Sequence, residues 1–200
     1  MKKILSIALV LALVLGSFAT VFAADFTDVK DSDKFNEAVN VLTGLGIVSG
    51  YPDGTYKPNK VVTRAEMAAL IINSLGLTVS GRSATPFSDV SESHWASGFI
   101  AYAASLNIIK GYPDGTFKPG NTVSYNEALA MIINALGYTP EALVGGWPGA
   151  YVNKARGLGI LDTCKMTGSD GANRGDIACY LYDSLDCPLG KTDKNGNFNP

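Results

Sequence analysis

The sequence predicts a mainly α-helical domain in which three helix-loop-helix repeats pack as a pseudo-threefold bundle. Three observations predict this fold: a segment that recurs along the chain, apolar residues at helical spacing, and turn and capping motifs that recur with the segment. A shift of 61 residues makes 22 of the 51 positions from Phe26 to Gly76 identical to their counterparts. Because two short helices cannot bury their apolar faces alone, we expect the three copies to pack together.

The first 23 residues have the features of a secretory signal peptide. Lys2 and Lys3 precede an apolar stretch that runs from Ile4 to Leu15, and Val21 and Ala23 supply the small residues of a cleavage site. The apolar stretch is too short to span a bilayer comfortably. We therefore expect a secreted chain that has no membrane span after the leader is removed.

The charge balance excludes one class of partner. The whole chain has 16 basic and 18 acidic residues, and removal of the leader, which contains two lysines, moves the net charge to about −4. A protein of this charge does not hold nucleic acid by bulk electrostatic attraction. A local pocket for an anion remains compatible with it.

The first repeat, residues 25–84, is predicted to contain two amphipathic helices joined by a turn. The turn begins at Tyr51 and includes Pro52, Asp53 and Gly54, which are ordinary turn residues, so we assign Asp53 to the turn. Apolar residues at helical spacing define the first helix at Phe35, Ala38, Val39, Leu42 and Leu45 and the second at Met67, Leu70, Ile71 and Leu75.

A capping box opens the second helix of the first repeat, because Thr63 and Glu66 have the spacing that satisfies two backbone N–H groups. Capping therefore explains Glu66 better than contact with a ligand. We also expect short strand pairings around Val61–Val62 and Thr122–Val123.

The second repeat, residues 85–140, has the same organisation, with Asp114 in its turn and Ser124 and Glu127 as its capping box. The third, residues 141–188, is more diverged. Asn173 takes the capping position there, and residues 162–171 replace the turn. Residues 189–200 are rich in Gly, Asn, Lys and Asp, which is typical of a linker or tail.

The three cysteines all lie near the end of the chain. Export permits a disulfide, and Cys164 with Cys187 is the pairing that we would test, with Cys179 in the helical core. The sequence has a single histidine and no CxxC pair, so we expect no metal site. We also expect no cofactor and no catalytic residues, because every paired carboxylate has a capping or turn explanation.

The repeated motifs resemble those of the S-layer homology family. The resemblance rests on Phe26-Thr27-Asp28-Val29, Trp95-Ala96, the turn from Tyr51 to Pro58, and Thr63-Arg64-Ala65-Glu66. It implies a threefold bundle whose inter-repeat grooves bind secondary cell-wall polysaccharide, often carrying pyruvate ketals. There are departures: Lys34 replaces the tryptophan in the first repeat, Tyr125 and Asn126 replace the central Arg-Ala pair in the second, and the third lacks the turn.

Arg64 is predicted to lie in the first turn of its helix, where the helix dipole disfavours a cation. An anion held between its guanidinium and free helix N–H groups would explain the arginine, and Arg174 recreates the arrangement in the third repeat. The alternative is an arginine in solvent or paired with a carboxylate of a neighbouring repeat. We expect replacement of Arg64 to change stability by less than about 1 kcal/mol.

Aromatic and basic residues supply further candidate contacts with a polysaccharide. Trp95 and Trp147 fall on apolar stripes, so core packing and sugar stacking are both open for them. The other candidates lie in or just after the repeated turns and are Tyr51, Tyr112, Lys57 and Lys118.

The function that these features predict is non-covalent anchoring to a bacterial cell wall through secondary polysaccharide attached to peptidoglycan. Two alternatives remain open: a self-assembling S-layer subunit that contacts other subunits, and the anchoring part of a larger secreted enzyme. In each case we expect a secreted protein of the cell wall or S-layer and a chain that is itself not an enzyme.

Overall fold

The protein is described here by a computed structural model that covers residues 25–138, 143–165, 170–192 and 198–199. The predicted signal peptide lies outside these ranges. Within them the chain forms six α-helices and one two-stranded antiparallel pairing, which confirms the mainly helical fold. The helices are α1 (Asn36–Gly44), α2 (Arg64–Ser74), α3 (Ser97–Ser105), α4 (Tyr125–Ala135), α5 (Gly149–Gly157) and α6 (Arg174–Ser184), and the strands are β1 (Lys191–Thr192) and β2 (Phe198–Asn199).

The main helix contacts join neighbouring repeats. The second helix of each repeat packs against the first helix of the next: α2 against α3, α4 against α5, and α6 back against α1. These contacts close a ring, so the apolar face of α1 is buried by α6. Ala38, Val39 and Leu42 are fully buried there, whereas Leu45, predicted on the same face, caps the helix end and is 54% exposed.

A ring of backbone hydrogen bonds lies just before the three second helices. Val62 N–H donates to Ala172 O, Val123 N–H donates to Val62 O, and Ala172 N–H donates to Val123 O, each over 2.9 Å. The flanking residues form isolated antiparallel bridges. The expected pairings near residues 61–62 and 122–123 therefore exist as single bridges, and they arrange the three repeats around one pseudo-threefold axis.

The caps form as the sequence predicts. Thr63 with Glu66 and Ser124 with Glu127 both make complete capping boxes, and the Asn173 side chain accepts a hydrogen bond from Asp176 N–H. Each cap satisfies N–H groups that would otherwise lack a partner at the helix start.

An aspartate from the start of each of the first two repeats anchors the repeated turn. The Asp28 carboxylate accepts hydrogen bonds from the N–H groups of Tyr56 at 2.7 Å and Lys57 at 2.8 Å. Asp89 does the same for the second turn. Lys57 and Lys118 have a φ of 57°, in the left-handed region. The carboxylate therefore holds a backbone conformation that lysine disfavours.

The third repeat, which lacks the turn, contains a disulfide. Cys164 and Cys179 are bonded, and both are fully buried. The bond ties the loop after α5 to the middle of α6. The pairing of Cys164 with Cys187 is therefore wrong, and Cys187 is the free cysteine. Cys179 does lie in the core as expected, because its helical position faces the neighbouring helices.

The segment after α6 contacts the residues that follow α4. Gly190 N–H donates to Leu136 O at 2.8 Å, and the Tyr138 hydroxyl donates to Pro188 O at 3.0 Å. Beyond this point β1 pairs with β2. None of the helices in the described ranges has the length and apolarity that a membrane span requires.

Candidate functional site

The junctions between repeats bring together many of the candidate site residues. The clearest junction, the second site, is a groove of about 530 Å3 between α4 and the start of α5. The residues of this groove that carry polar or aromatic groups include Arg64, Lys110, Tyr112, Glu127, Trp147 and Tyr151. The first site is defined by Tyr51, Glu66 and Trp95, which correspond to Tyr112, Glu127 and Trp147. Lys60, which pairs with Glu66, and Arg174 from the third repeat, which lies over the Tyr51 ring, complete it.

Both tryptophans are exposed at the starts of first helices. Trp147 lies immediately before Pro148, the N-cap of α5, and is 60% exposed in the second site. Trp95 holds the same place before α3, which packs against α2, and is 55% exposed. Core packing is therefore the wrong interpretation for both. An exposed indole beside a polar groove offers a flat apolar face of the kind on which a sugar ring stacks.

Arg64 is buried in the second site, with only 6% of the residue exposed. Its Nη1 donates to Glu127 Oε1 at 2.6 Å, and its Nε donates to Phe117 O at 2.7 Å. The guanidinium also lies 4.7 Å from the ring centroids of both Tyr112 and Phe117. Arg64 thus pairs with a carboxylate of a neighbouring repeat, which is one of the two alternatives to anion binding. The pairing is possible because the start of α2 in the first repeat lies against the turn of the second repeat.

The N–H groups at the start of α2 are already occupied. Arg64 N–H donates to Asn121 O at 2.9 Å, and Ala65 N–H donates to Pro119 O at 3.1 Å. The Thr63 side chain accepts the next N–H. The expectation of free helix N–H groups beside Arg64 is therefore wrong, since the following repeat supplies carbonyls to them. The start of α6 is used in the same way by Lys60 O and Pro58 O.

The first site resembles the second but divides its charges differently. Arg174 donates from Nε to Tyr56 O at 2.8 Å and from Nη2 to Ser49 O at 2.7 Å. Its guanidinium lies 5.2 Å from the Tyr51 ring centroid. Glu66, which corresponds to Glu127, pairs instead with Lys60 at 3.1 Å. No carboxylate in the described ranges forms an ion pair with Arg174.

The two turn lysines have equivalent surroundings in the two sites. Lys57 lies 4.2 Å from the Tyr51 ring centroid and pairs with Asp53 at 3.1 Å. Lys118 lies 4.3 Å from the Tyr112 ring centroid, and its ion pair is with Asp114. The hydrogen bond from the Thr55 hydroxyl is the main cause that lowers the pKa of Asp53 to about 2. Each turn thus presents a tyrosine ring covered by a lysine whose charge is balanced.

The third junction, the third site, is occupied by its own side chains. Lys34 stands where the other repeats have tryptophan, and its Nζ lies 2.7 Å from Asp176 Oδ1. The Tyr125 hydroxyl, at the position of Arg64, donates to Asp176 Oδ2 at 2.6 Å. Asp176 is 2% exposed. Lys34 and Tyr125, two departures from the motif, therefore both contact Asp176, and the three side chains join all three repeats.

The capping glutamates remain ionised to lower pH than an ordinary glutamate. Burial alone would raise the pKa of Glu127, but hydrogen bonds from Ser124 and the positive charge of Arg64 hold that pKa below its usual value of 4.5. The pKa of Glu66 is also lowered, because the opposing effect of burial is outweighed by Thr63 and Lys60. Both groups are therefore carboxylates at neutral pH.

Several residues of the sites escaped the sequence prediction. Lys60, Lys110 and Asn126 follow no repeated motif, and comparison of the first two repeats position by position is the signal that would have identified them. Side-chain oxygens of Asn126 and Asn134, two residues of the second site, are buried and lack a partner among the described residues. Such an acceptor would gain from a hydroxyl donor. No cluster of metal-binding side chains occurs in the described part of the chain.

Comparison with known proteins relates two segments of the chain to a known family. Residues 25–68 and 86–129 each match the family model of the S-layer homology domain. The two matched segments lie within the first two repeats, whose motifs resemble those of this family.

Longer curated proteins contain regions similar to this chain. The middle cell wall protein of Brevibacillus brevis is 38% identical over 192 residues, which is 92% of this chain and 18% of that protein. A cellulosome-anchoring protein of Acetivibrio thermocellus is 37% identical over 115 residues, or 56% of this chain and 26% of that protein. An amylopullulanase of Thermoanaerobacterium thermosulfurigenes is 34% identical over 194 residues, which is 86% of this chain and 10% of that protein. The chain thus spans about a quarter or less of each relative.

Proposed function

We propose that the chain is a wall-anchoring module that holds a secreted protein to the bacterial cell surface by binding secondary cell-wall polysaccharide. The observation that carries this proposal is that Trp147, an exposed tryptophan, lines the polar groove of the second site. Trp95 is exposed at the equivalent helix start and is assigned to the first site by the equivalent packing of α2 against α3. An indole face for a sugar ring beside hydrogen-bonding groups is the chemistry that carbohydrate recognition requires.

The module in this proposal consists of three S-layer homology repeats, although the family model matches only the first two. The ring of backbone hydrogen bonds through Val62, Val123 and Ala172 supports the third repeat. Residues 170–188 make contacts around the pseudo-threefold axis that are equivalent to those of the two matched repeats. The disulfide and the Lys34–Asp176 pair replace the turn and the tryptophan that the third junction lacks. Two of the three junctions are then available to polysaccharide.

Co-sedimentation with purified cell walls tests this function. The chain should sediment with walls that retain their secondary polymer and remain in solution with walls from which the polymer has been extracted. Replacement of the exposed indole by Trp147→Ala should weaken sedimentation, whereas Tyr102→Ala, which removes a partly exposed aromatic ring on the face of α3 beside residues 78–84, should not. Equal sedimentation with extracted walls would contradict the proposal.

A second candidate is that this module belongs to a larger secreted enzyme. The similarity to part of an amylopullulanase supports this candidate, because that relative is much longer than the matched region. The binding module would then have the same role, and catalysis would belong to other parts of the protein. Determination of the reading frame that contains this sequence distinguishes the two candidates.

A further inference from the structure

We propose that the two sites recognise a carboxylate on the polysaccharide through different side chains: Arg174 in the first site and Lys110 in the second. Arg64, at the motif position equivalent to Arg174, is a structural residue under this proposal. The inference rests on the proposed function and adds to it the residues that select an acidic sugar unit.

In the second site the positive charge of Arg64 is already balanced. Its guanidinium and the Glu127 carboxylate are 2.6 Å apart, and the arginine is buried between two aromatic rings. A carboxylate that approached Arg64 would therefore also approach Glu127, whose lowered pKa keeps it ionised. The repulsion from Glu127 offsets the attraction to Arg64, so this pair contributes little net attraction for an acidic ligand.

Lys110 is the cation of the second site that has no opposing charge. It is exposed, it lines the same groove as Trp147, and no carboxylate of the described residues forms an ion pair with it. Its position immediately before the Gly111 turn places a flexible ammonium group at the groove, where an acidic sugar substituent can reach it.

In the first site the unbalanced cation is Arg174. The equivalent of Lys110 in the first repeat is Ser49, whose carbonyl accepts a hydrogen bond from the Arg174 guanidinium. Glu66 is engaged by Lys60, which the second repeat replaces with Asn121. Lys60 therefore leaves Arg174 without an ion-pair partner, and the planar guanidinium is available to a carboxylate.

The two repeats thus differ at two lysine positions whose effects compensate. In the first repeat the lysine at residue 60 neutralises the capping glutamate, and in the second the lysine at residue 110 adds a cation while Arg64 neutralises that glutamate. The turn lysines are paired with aspartates in both sites. Each site therefore keeps one uncompensated positive charge, which matches the single negative charge of a carboxylate.

Binding measured separately at the two sites tests this inference. The chain has two tryptophans, Trp95 and Trp147, so their indole N–H signals in NMR spectra report the first and second sites. The ligands are single repeating units released from the wall polymer, in native form and after chemical reduction of their carboxyl groups to alcohols. The acid preference of a site is the ratio of the dissociation constants for the reduced and native units.

Lys110→Ser introduces the residue that the first repeat has at this position. We expect it to lower the acid preference reported by Trp147 by about five-fold, the size expected for one partly exposed charge contact. The preference reported by Trp95 should stay unchanged. Arg174→Gln keeps hydrogen-bond donors but removes the charge. It should lower the acid preference reported by Trp95 and leave the preference reported by Trp147 unchanged. Arg82→Ser removes an exposed positive charge between the first two repeats and should change neither preference.

Glu127→Gln supplies a second, independent test, because glutamine preserves the capping pattern while it releases Arg64 from its carboxylate. The acid preference at Trp147 should then rise. An unchanged preference at Trp147 in both Lys110→Ser and Glu127→Gln would overturn the inference while leaving the proposed function intact. If the native unit shifts neither indole signal in the unsubstituted protein, the proposed function fails together with the inference.

Discussion

Arg64 and Arg174 illustrate how one motif position can take two different roles. Both arginines follow the N-cap of a second helix, and both reach across a junction to the turn of another repeat. Arg64 is buried there and forms an ion pair with Glu127. Arg174 donates to backbone carbonyls instead, because the corresponding glutamate, Glu66, pairs with Lys60. The motif therefore places an arginine side chain across the junction in both cases. Whether a glutamate balances the charge of that arginine depends on the residue at the position shared by Lys60 and Asn121, because Lys60 pairs with Glu66 and Asn121 cannot pair with Glu127.

The burial of Arg64 leads to a stability prediction that replaces the sequence-based one. Arg64→Ala should lower the free energy of unfolding by about 2–3 kcal/mol, because it removes the cation that pairs with Glu127 and the hydrogen-bond donor to Phe117 O. Chemical denaturation of the variant and the unsubstituted chain measures this change. Arg82→Ala is the matched control for an exposed arginine and should change stability by less than about 0.5 kcal/mol. A decrease in the free energy of unfolding of less than about 1 kcal/mol for Arg64→Ala would contradict this prediction and would indicate that Arg64 behaves as an exposed surface residue.

The lowered pKa of Glu127 predicts how this ion pair responds to acid. A carboxyl group whose pKa is lower in the folded state than its ordinary value of 4.5 stabilises the fold above pH 4.5. That contribution is lost as the pH falls through the folded-state pKa, because protonation removes the attraction to Arg64. Unfolding free energies measured between pH 6 and 3 should therefore decrease less steeply for Glu127→Gln than for the unsubstituted chain. Parallel curves would contradict the assignment.

At the scale of elements, the third repeat stabilises its altered loop by covalent chemistry. The first two repeats hold their turns with Asp28 and Asp89, and the third uses the disulfide between Cys164 and Cys179. Cys187 lies apart from this bond and remains free. Loss of the disulfide should therefore loosen residues 162–165 and the packing of α6 on α1.

The double substitution Cys164→Ser with Cys179→Ser tests this role. The bond joins residues 15 apart, and closure of such a loop contributes about 3 kcal/mol by restricting the unfolded chain. We expect a loss of that size in the free energy of unfolding, measured by denaturation under oxidising conditions. Cys187→Ser should have a small effect. If reducing agent changes the stability of the double variant as much as that of the unsubstituted chain, the effect does not come from this disulfide.

The local parts of the fold could be predicted from the sequence, because each depends on residues close together in the chain. The capping boxes at Thr63 and Ser124 and the turn at Tyr51 follow from short-range hydrogen bonding. The partners of Arg64 could not be predicted, since Phe117 and Glu127 come from another repeat and the sequence does not show how repeats interlock. The exposure of the two tryptophans could not be predicted for a related reason, because an apolar stripe does not show where the neighbouring helix ends.

At the scale of the whole molecule, the repeats form a closed ring in which no repeat is packed only against itself. Each second helix packs on the first helix of another repeat, and α6 closes the ring on α1. The central hydrogen bonds among Val62, Val123 and Ala172 follow the same cycle. A change at one junction therefore removes support from the other two, which is the condition for a single cooperative unfolding transition.

Substitution at the third site tests whether the ring unfolds as one unit. Asp176→Asn removes the buried charge that pairs with Lys34 and accepts the Tyr125 hydroxyl, so it should lower the free energy of unfolding by about 2–3 kcal/mol. Trp95 and Trp147 report the other two junctions through fluorescence in the single-tryptophan variants Trp147→Phe and Trp95→Phe. In a closed ring, Asp176→Asn should lower both denaturation midpoints equally, and each should coincide with the midpoint from circular dichroism. If one tryptophan kept its original midpoint, its junction would be stable without the third, and the ring would not be a cooperative unit.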